Sequence, residues 1–357
     1  MLTPKRNMTE WHSLLNELQA PLRDIYFFPE YLALHESGPE TESLLFGFRN
    51  GGHTWLYPFL KSRIPSWEAE NDTAGEWFDI ESAYGYGGPL STTDDHGFLK
   101  DAWASFSSWC AEQKIVAEFV RFHPLLRNER WIDPQTSITK DRDTVSIDFD
   151  HVGEDSNIPF TTESCYMVRR AERAGIAVRE IHAPEGFERF LSLYHATMER
   201  VGATEYYLFD DRYFRLLELL IEKSGWLLVA DLNGEWVAAA LFLRGAQVMH
   251  YHLSASDPAR RIPGATNAIL HEAARIGVRE KMEKIHLGGG RTPDPADRLL
   301  RFKESIGTGR HAFQIGRRIH NKAVYSGLCA AWEKQYPALV SSRGSRLLCY
   351  REKPSHG

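Results

Sequence analysis

Residues 248–303 concentrate the side chains able to make or break a bond. The segment His250-Tyr251-His252-Leu253-Ser254-Ala255-Ser256 alternates like a strand. That pattern puts Val248, His250, His252 and Ser254 on one face and Met249, Tyr251 and Leu253 on the other. Two histidines on one face suit a proton relay, and they equally suit hydrogen-bonded core positions. No carboxylate or cysteine stands at ligand spacing from them, so no metal is expected. The next loop reads Arg260-Arg261-Ile262-Pro263-Gly264-Ala265-Thr266-Asn267 and leads into a helix expected over 265–281. A guanidinium pairs with phosphate, a glycine admits a close backbone, and a helix N-terminus offers N–H donors. Arg260, Arg261, Gly264 and Asn267 are therefore a candidate phosphate cradle. Further on, the glycines of Leu287-Gly288-Gly289-Gly290-Arg291 either admit a substrate backbone or simply turn the chain. A short helix from Asp297 then brings Lys303 towards this loop, to hold a phosphate, to offset charge developing on a carbonyl, or to face solvent.

The elements positioning these residues follow a pattern. From Trp226 the order is strand, Asn233-Gly234 turn, strand (238–243), tight turn at Arg244-Gly245-Ala246, strand (247–254), polar loop, helix (265–281) and strand (284–288). The same order occurs earlier at an offset of 183 residues, where Leu44-Leu45-Phe46-Gly47-Phe48-Arg49-Asn50-Gly51 answers Leu227 to Gly234. A helix over 98–113 and a strand over 117–122 continue the parallel. Two copies of one α/β (α+β) module are the economical reading, with residues 1–150 as the first domain and 151–357 as the second.

Composition narrows the class. The 357 residues suit two domains, and no run of about 18 apolar residues suggests a membrane span. A polar N-terminus and four scattered cysteines (Cys110, Cys165, Cys329, Cys349), without a CxxC pair, point to the cytoplasm. The net charge of −6 conceals an asymmetry: residues 251–357 hold 19 Lys and Arg against 9 Asp and Glu. The 250 residues before them hold 23 against 39. A basic C-terminal third is either a footprint for a phosphate-bearing partner or a set of solvated helix faces.

The meander, loop and helix of the second module resemble a GNAT acyltransferase core, although Thr266 stands where that loop usually ends in a smaller residue. The whole chain, from about residue 25 to 325, resembles the FemAB family of tandem-GNAT aminoacyltransferases. The resemblance is carried by Phe28-Pro29-Glu30-Tyr31-Leu32, Tyr84-Gly85-Tyr86-Gly87-Gly88-Pro89-Leu90, Arg169-Arg170-Ala171, Tyr194, Thr197, Met198, Arg200, Tyr206 and Tyr207, the His250–Ser256 strand, Leu287–Gly290 and Phe302-Lys303. It implies two tandem GNAT-like domains, each a mixed, mostly antiparallel sheet flanked by helices. No tightly bound cofactor is implied. The resemblance further implies aminoacyl-tRNA as the co-substrate, met by the basic C-terminal domain, and as product an amide on an amine of a small-molecule or cell-envelope precursor. Lys303 falls on the family's catalytic lysine. Tyr251, His252 and Ser254 would line the reaction centre, and Tyr84, Tyr86, Arg200, Tyr206 and Gly289 would meet the acceptor in a groove between the modules. Ile306 departs from the family's phenylalanine. Acyl-CoA or an acyl carrier protein as donor, and a non-catalytic binding module, are the competing expectations.

Overall fold

Turn and cap chemistry divides the chain into short, well-bounded elements. The first part holds α1 (Pro4–Asn16), α2 (Pro29–Leu34), β1 (Thr41–Asn50), β2 (His53–Arg63), β3 (Phe78–Glu81), β4 (Leu90–Ser91), α3 (His96–Glu112), β5 (Ile115–Arg121) and β6 (Ser137–Asp148). Next come α4 (Thr162–Arg173), β7 (Ala177–Ile181), α5 (Ala183–Arg200), α6 (Asp211–Ser224), β8 (Gly225–Leu232), β9 (Glu235–Arg244) and β10 (Val248–Ser256). The chain continues with α7 (Ala265–Arg279), β11 (Lys284–Gly289), α8 (Arg298–Glu304), β12 (Gly309–Ile319) and α9 (Lys322–Gln335). The computed structural model describes residues 1–65, 76–149, 160–202, 209–341, 344 and 346–352.

The repeat is real at the level of topology. The hairpin β1–β2 answers β8–β9, β3 and β10 each follow antiparallel, and a helix (α3 or α7) carries the chain to a parallel neighbour, β5 or β11. Both hairpins turn on two residues with positive φ, as strand twist favours. In the second these are Asn233 and Gly234. In the first they are Gly51 and Gly52, one residue later than the Asn-Gly reading suggests, because Asn50 still pairs with His53.

The chain forms two compact units, neither of them contiguous. Unit 1 is Met1–Gln19, His35–Lys140 and Phe313–Gly357, and unit 2 is Ala20–Leu34 and Asp141–Ala312. The repeat pointed to two halves meeting near residue 150. Instead the last 45 residues return to unit 1, and the 15-residue segment Ala20–Leu34 joins unit 2.

In unit 1, β1, β2, β3 and β5 lie side by side, and Ile315–Ile319 of β12 adds antiparallel to β5. Its core is aromatic: Phe46, Trp55, Tyr57 and Phe59 pack against Phe106 of α3 at ring separations of 5.2–5.8 Å. Unit 2 has the order β7-β8-β9-β10-β11-β6, antiparallel except for β10 and β11. Val237 to Leu243 of β9 are all buried, since α7 packs beneath the sheet while α5 and α6 cover it. The division also redistributes charge. Unit 2 holds 23 Lys and Arg against 28 Asp and Glu, so the basic C-terminal third does not form one basic domain.

Candidate active site

Unit 2 opens where its two parallel strands part. β10 pairs with β11 over three residues only, Val248–His250 with Lys284–His286, although β10 runs on to Ser256 and β11 to Gly289. A bulge at His252 accompanies the parting: Tyr251 opposes Phe242 of β9, yet Leu253 opposes Leu241. The extra residue reverses the alternation beyond it. Ser254, opposite Ala240 of β9, thus leaves the histidine face and joins Tyr251, opposite Phe242, on the other. The expectation that His250, His252 and Ser254 share a face is therefore corrected for Ser254.

The histidines turn away from a relay. His250 Nε2 lies 2.8 Å from Asp24 Oδ2, both groups buried, and His252 Nε2 lies 2.8 Å from the Tyr213 hydroxyl. Burial, helped by the neighbouring His250, pushes His252 down to about 3, so its ring stays neutral and weakly basic. Burial pushes the Tyr251 phenol up to about 12, and it keeps its proton. His252→Gln is accordingly expected to leave the shape of the pH–rate profile between pH 5 and 9 unchanged. A limb that disappears in this variant would make His252 the titrating group.

Lys303 is the group poised to titrate. It projects from α8, is 7% exposed, and donates from Nζ to the Gly289 carbonyl at 2.7 Å. Burial drives its pKa down to about 7, against the pull of the Asp297 carboxylate and with help from the Arg142 guanidinium. Spacing alone favoured an exposed lysine. The helix cap supplies the difference, since Asp297 accepts from the backbone N–H groups of Leu299 and Leu300 and, through its other oxygen, from those of Arg291 and Thr292. Arg142, which sequence reasoning missed, donates from Nη1 to the carbonyls of Gly290 and Arg291 at 2.9 Å each. The glycine run serves this close packing: a Cβ on Gly289 would lie 2.8 Å from the Asp143 carbonyl, and one on Gly290 would lie 2.6 Å from Asp297 Oδ1. Ile306 is fully buried in the unit 2 core, and the Gly307 N–H donates to the Lys303 carbonyl.

The loop before α7 is built differently from its counterpart in unit 1. Gly264 sits at φ +88° as the N-cap, with no side chain capping the helix. In unit 1 the equivalent helix, α3, is already capped by Asp95, which accepts from the Phe98 N–H, and Asp94 precedes it. The parallel strands of unit 1 are also zipped. Beyond β3, the Ser82 N–H donates to the Phe119 carbonyl and the Gly87 N–H to that of Arg121. Only unit 2 thus combines parted strands with an uncapped helix N-terminus.

Residues 165–304 match the acetyltransferase (GNAT) domain family. The chain carries a GNAT acyltransferase domain. The match covers the bulged strand, the α7 loop and Lys303, so this acyltransferase has its GNAT domain where the strands part. The whole fold is similar to that of FemX (12% identity, 91% of this chain and 99% of that chain, TM-score 0.67). It is also similar to the C-terminal domain of a candidate lysylphosphatidylglycerol synthetase from Agrobacterium fabrum (11% identity, 95% and 98% of the two chains, TM-score 0.58). A tandem GNAT protein from the clavulanic acid biosynthesis pathway, solved without AcCoA, has 10% identity over 89% and 96% of the chains, with TM-score 0.50. No curated protein matches the sequence. No helix among the described residues is long and apolar enough to cross a membrane.

The other expected site residues divide. In the GNAT domain Arg261 is exposed, and Arg260 lies 3.7 Å from Glu235. Asn267 is buried and faces Ser164 of α4, away from the loop. Arg200, at the end of α5, donates to Ser256 Oγ at 3.4 Å, while Thr197 grips the Ser256 backbone on both sides, so α5 holds the free end of β10. In unit 1, Tyr84 stacks on His35, and Tyr86 packs against His123 and Phe313. Their loop is pinned by Asn128, which donates to the carbonyls of Gly87 and Pro89. Tyr206 lies outside the described residues.

Proposed function

We propose that the protein transfers an aminoacyl group from aminoacyl-tRNA to an amine of a small-molecule or cell-envelope precursor. The observation that carries this reading is Lys303, buried beside Gly289 at the end of β11, on the strand that parts from β10. The acceptor nitrogen attacks the ester carbonyl of the donor and forms a C–N bond. The carbonyl oxygen gains charge, which the Lys303 ammonium offsets. The C–O bond to the carrier then breaks, its oxygen takes a proton, and the nitrogen loses one. With His252 neutral and weakly basic and Tyr251 protonated, the attacking amine sheds its proton late, to solvent. The aminoacyl part of the reading draws on the likeness to FemX and to the synthetase domain.

A second reading, with acyl-CoA as donor, is favoured by the acidic balance of unit 2 and by the single arginine of the loop that lacks an acidic partner among the described residues. The two separate in one assay. Labelled aminoacyl-tRNA and labelled acyl-CoA are each offered with a pool of amine acceptors, with and without prior ribonuclease. Amide formation from the tRNA donor alone, abolished by ribonuclease, is expected. Transfer that survives ribonuclease, or that occurs only from acyl-CoA, would overturn the aminoacyl reading.

A further inference from the structure

Helix α4 presents a face that neither its packing nor the proposed chemistry uses. Its inner side is taken up by α7. Val168 and Ala171 are buried, Ser164 meets Asn267, and a Cβ on Gly264 would lie 2.1 Å from the Met167 carbonyl and 3.3 Å from Ala171. These contacts run in opposite order along the two helices, so α4 lies antiparallel to α7. The C-terminal turns of α4 therefore lie level with the start of α7 and the Arg260–Gly264 loop.

The outer side carries Arg169, Arg170 and Arg173, all exposed and none with an acidic partner among the described residues. One turn before them stands Tyr166, 53% exposed, among the most exposed large apolar side chains of the protein. Tyr166 to Arg169 and Arg170, and these to Arg173, are separated by three or four positions, so neighbouring Cβ atoms lie about 5–6 Å apart on one surface. Exposed arginines at that spacing, with an aromatic ring in line, match a charged backbone whose bases can stack. Arg261 continues the positive surface across the loop. The net charge of unit 2 hides this cluster, in which the three arginines outnumber the two exposed carboxylates of α4, Glu163 and Glu172.

We infer that the Tyr166-Arg169-Arg170-Arg173 face of α4, with Arg261, is the RNA-contacting surface that seats the acceptor arm of the donor. This rests on the aminoacyl-tRNA reading above. The phosphates would pair with the guanidinium groups, and a base near the 3′ end would stack on Tyr166. A second use of the face, holding the 3′-phosphate of CoA, becomes an outcome of the test.

The test uses the full chain and a fluorescent, uncharged RNA hairpin reproducing an acceptor arm, with anisotropy measured across a salt series. The triple variant R169Q/R170Q/R173Q should bind about tenfold or more weakly and lower the magnitude of the log K against log salt slope by about 2. Tyr166→Ala should weaken binding about tenfold with the slope unchanged. Arg275→Gln, an exposed arginine paired with Glu272, should alter neither. All five substitutions are on the surface, and unaltered melting confirms that the variants fold. A triple variant that binds like the wild type, or that loses CoA binding while keeping the hairpin, overturns the inference. If aminoacyl-tRNA still supports transfer in that case, the functional reading stands and the surface alone is wrong. A wild type that ignores the hairpin and transfers only from acyl-CoA removes both.

Discussion

Lys303→Met should lower turnover about 10²–10³-fold while leaving the fold intact. Methionine matches the length of the lysine stem and fills its buried channel, but it offers no cation to the developing oxyanion. The pH dependence is the sharper test. With the lysine pushed down to about 7, its charged form is lost as pH rises through that value. The profile of kcat/KM should therefore show a descending limb near pH 7. Lys303→Arg, which stays charged, should be slower but lack the limb. An ascending limb governed by Lys303 would mean that it works as a base. Stability carries a matching signature. The unfolded lysine, near 10.5, binds a proton that the folded one gives up between about pH 7 and pH 10.5. Wild-type stability gains from this group as pH rises through that window, and the burial penalty is fully present below it. Lys303→Met should therefore be as stable as the wild type or more so near pH 6, with the advantage fading by pH 10. Chemical denaturation at the two pH values reads this directly.

The largest structural effect is expected from Gly264→Ala. The residue sits at φ +88°, and a Cβ would meet the Met167 carbonyl at 2.1 Å, so backbone strain and a hard clash act together. A loss of about 3–5 kcal/mol is expected, lowering the unfolding midpoint by roughly 10 °C. Gly234→Ala is the internal control. It has a nearly identical φ of +89° with nothing within 4 Å, and should lose only about 1–2 kcal/mol. If the two variants melt together, the packing of α4 on the α7 loop is looser than the geometry requires. Because α4 holds this loop in place, Gly264→Ala should also raise the donor KM, which the turn variant should not.

Features set by near neighbours were legible in the sequence. Both hairpins, the two crossover helices and the short helix from Asp297 are specified within a few residues, so repeat and motif reasoning reached them. The bulge at His252 was not, because it belongs to the register between β10 and β9, and strict alternation then assigned Ser254 to the wrong face. Lys303 was singled out by resemblance. Its burial and its bond to Gly289 depend on how α8 returns to the end of β11, which no spacing rule contains. Asn267 and the glycine run were taken for ligand contacts because their residue types fit. In the fold those positions admit α4, β6 and the Asp297 cap instead. The sorting of segments between units was hidden for the same reason: it rests on contacts hundreds of residues apart.

That sorting constrains synthesis on the ribosome. Asp24 emerges early, yet its partner His250 follows 226 residues later, and β5 gains its neighbour in β12 only near the end of translation. Neither unit can close as it is made, so both must wait on a nearly finished chain, with exposed strand edges in the interval. A gene cut near residue 150 to isolate the acyltransferase domain would discard the carboxylate that holds His250. It would also leave Phe313–Gly357 without the sheet they complete.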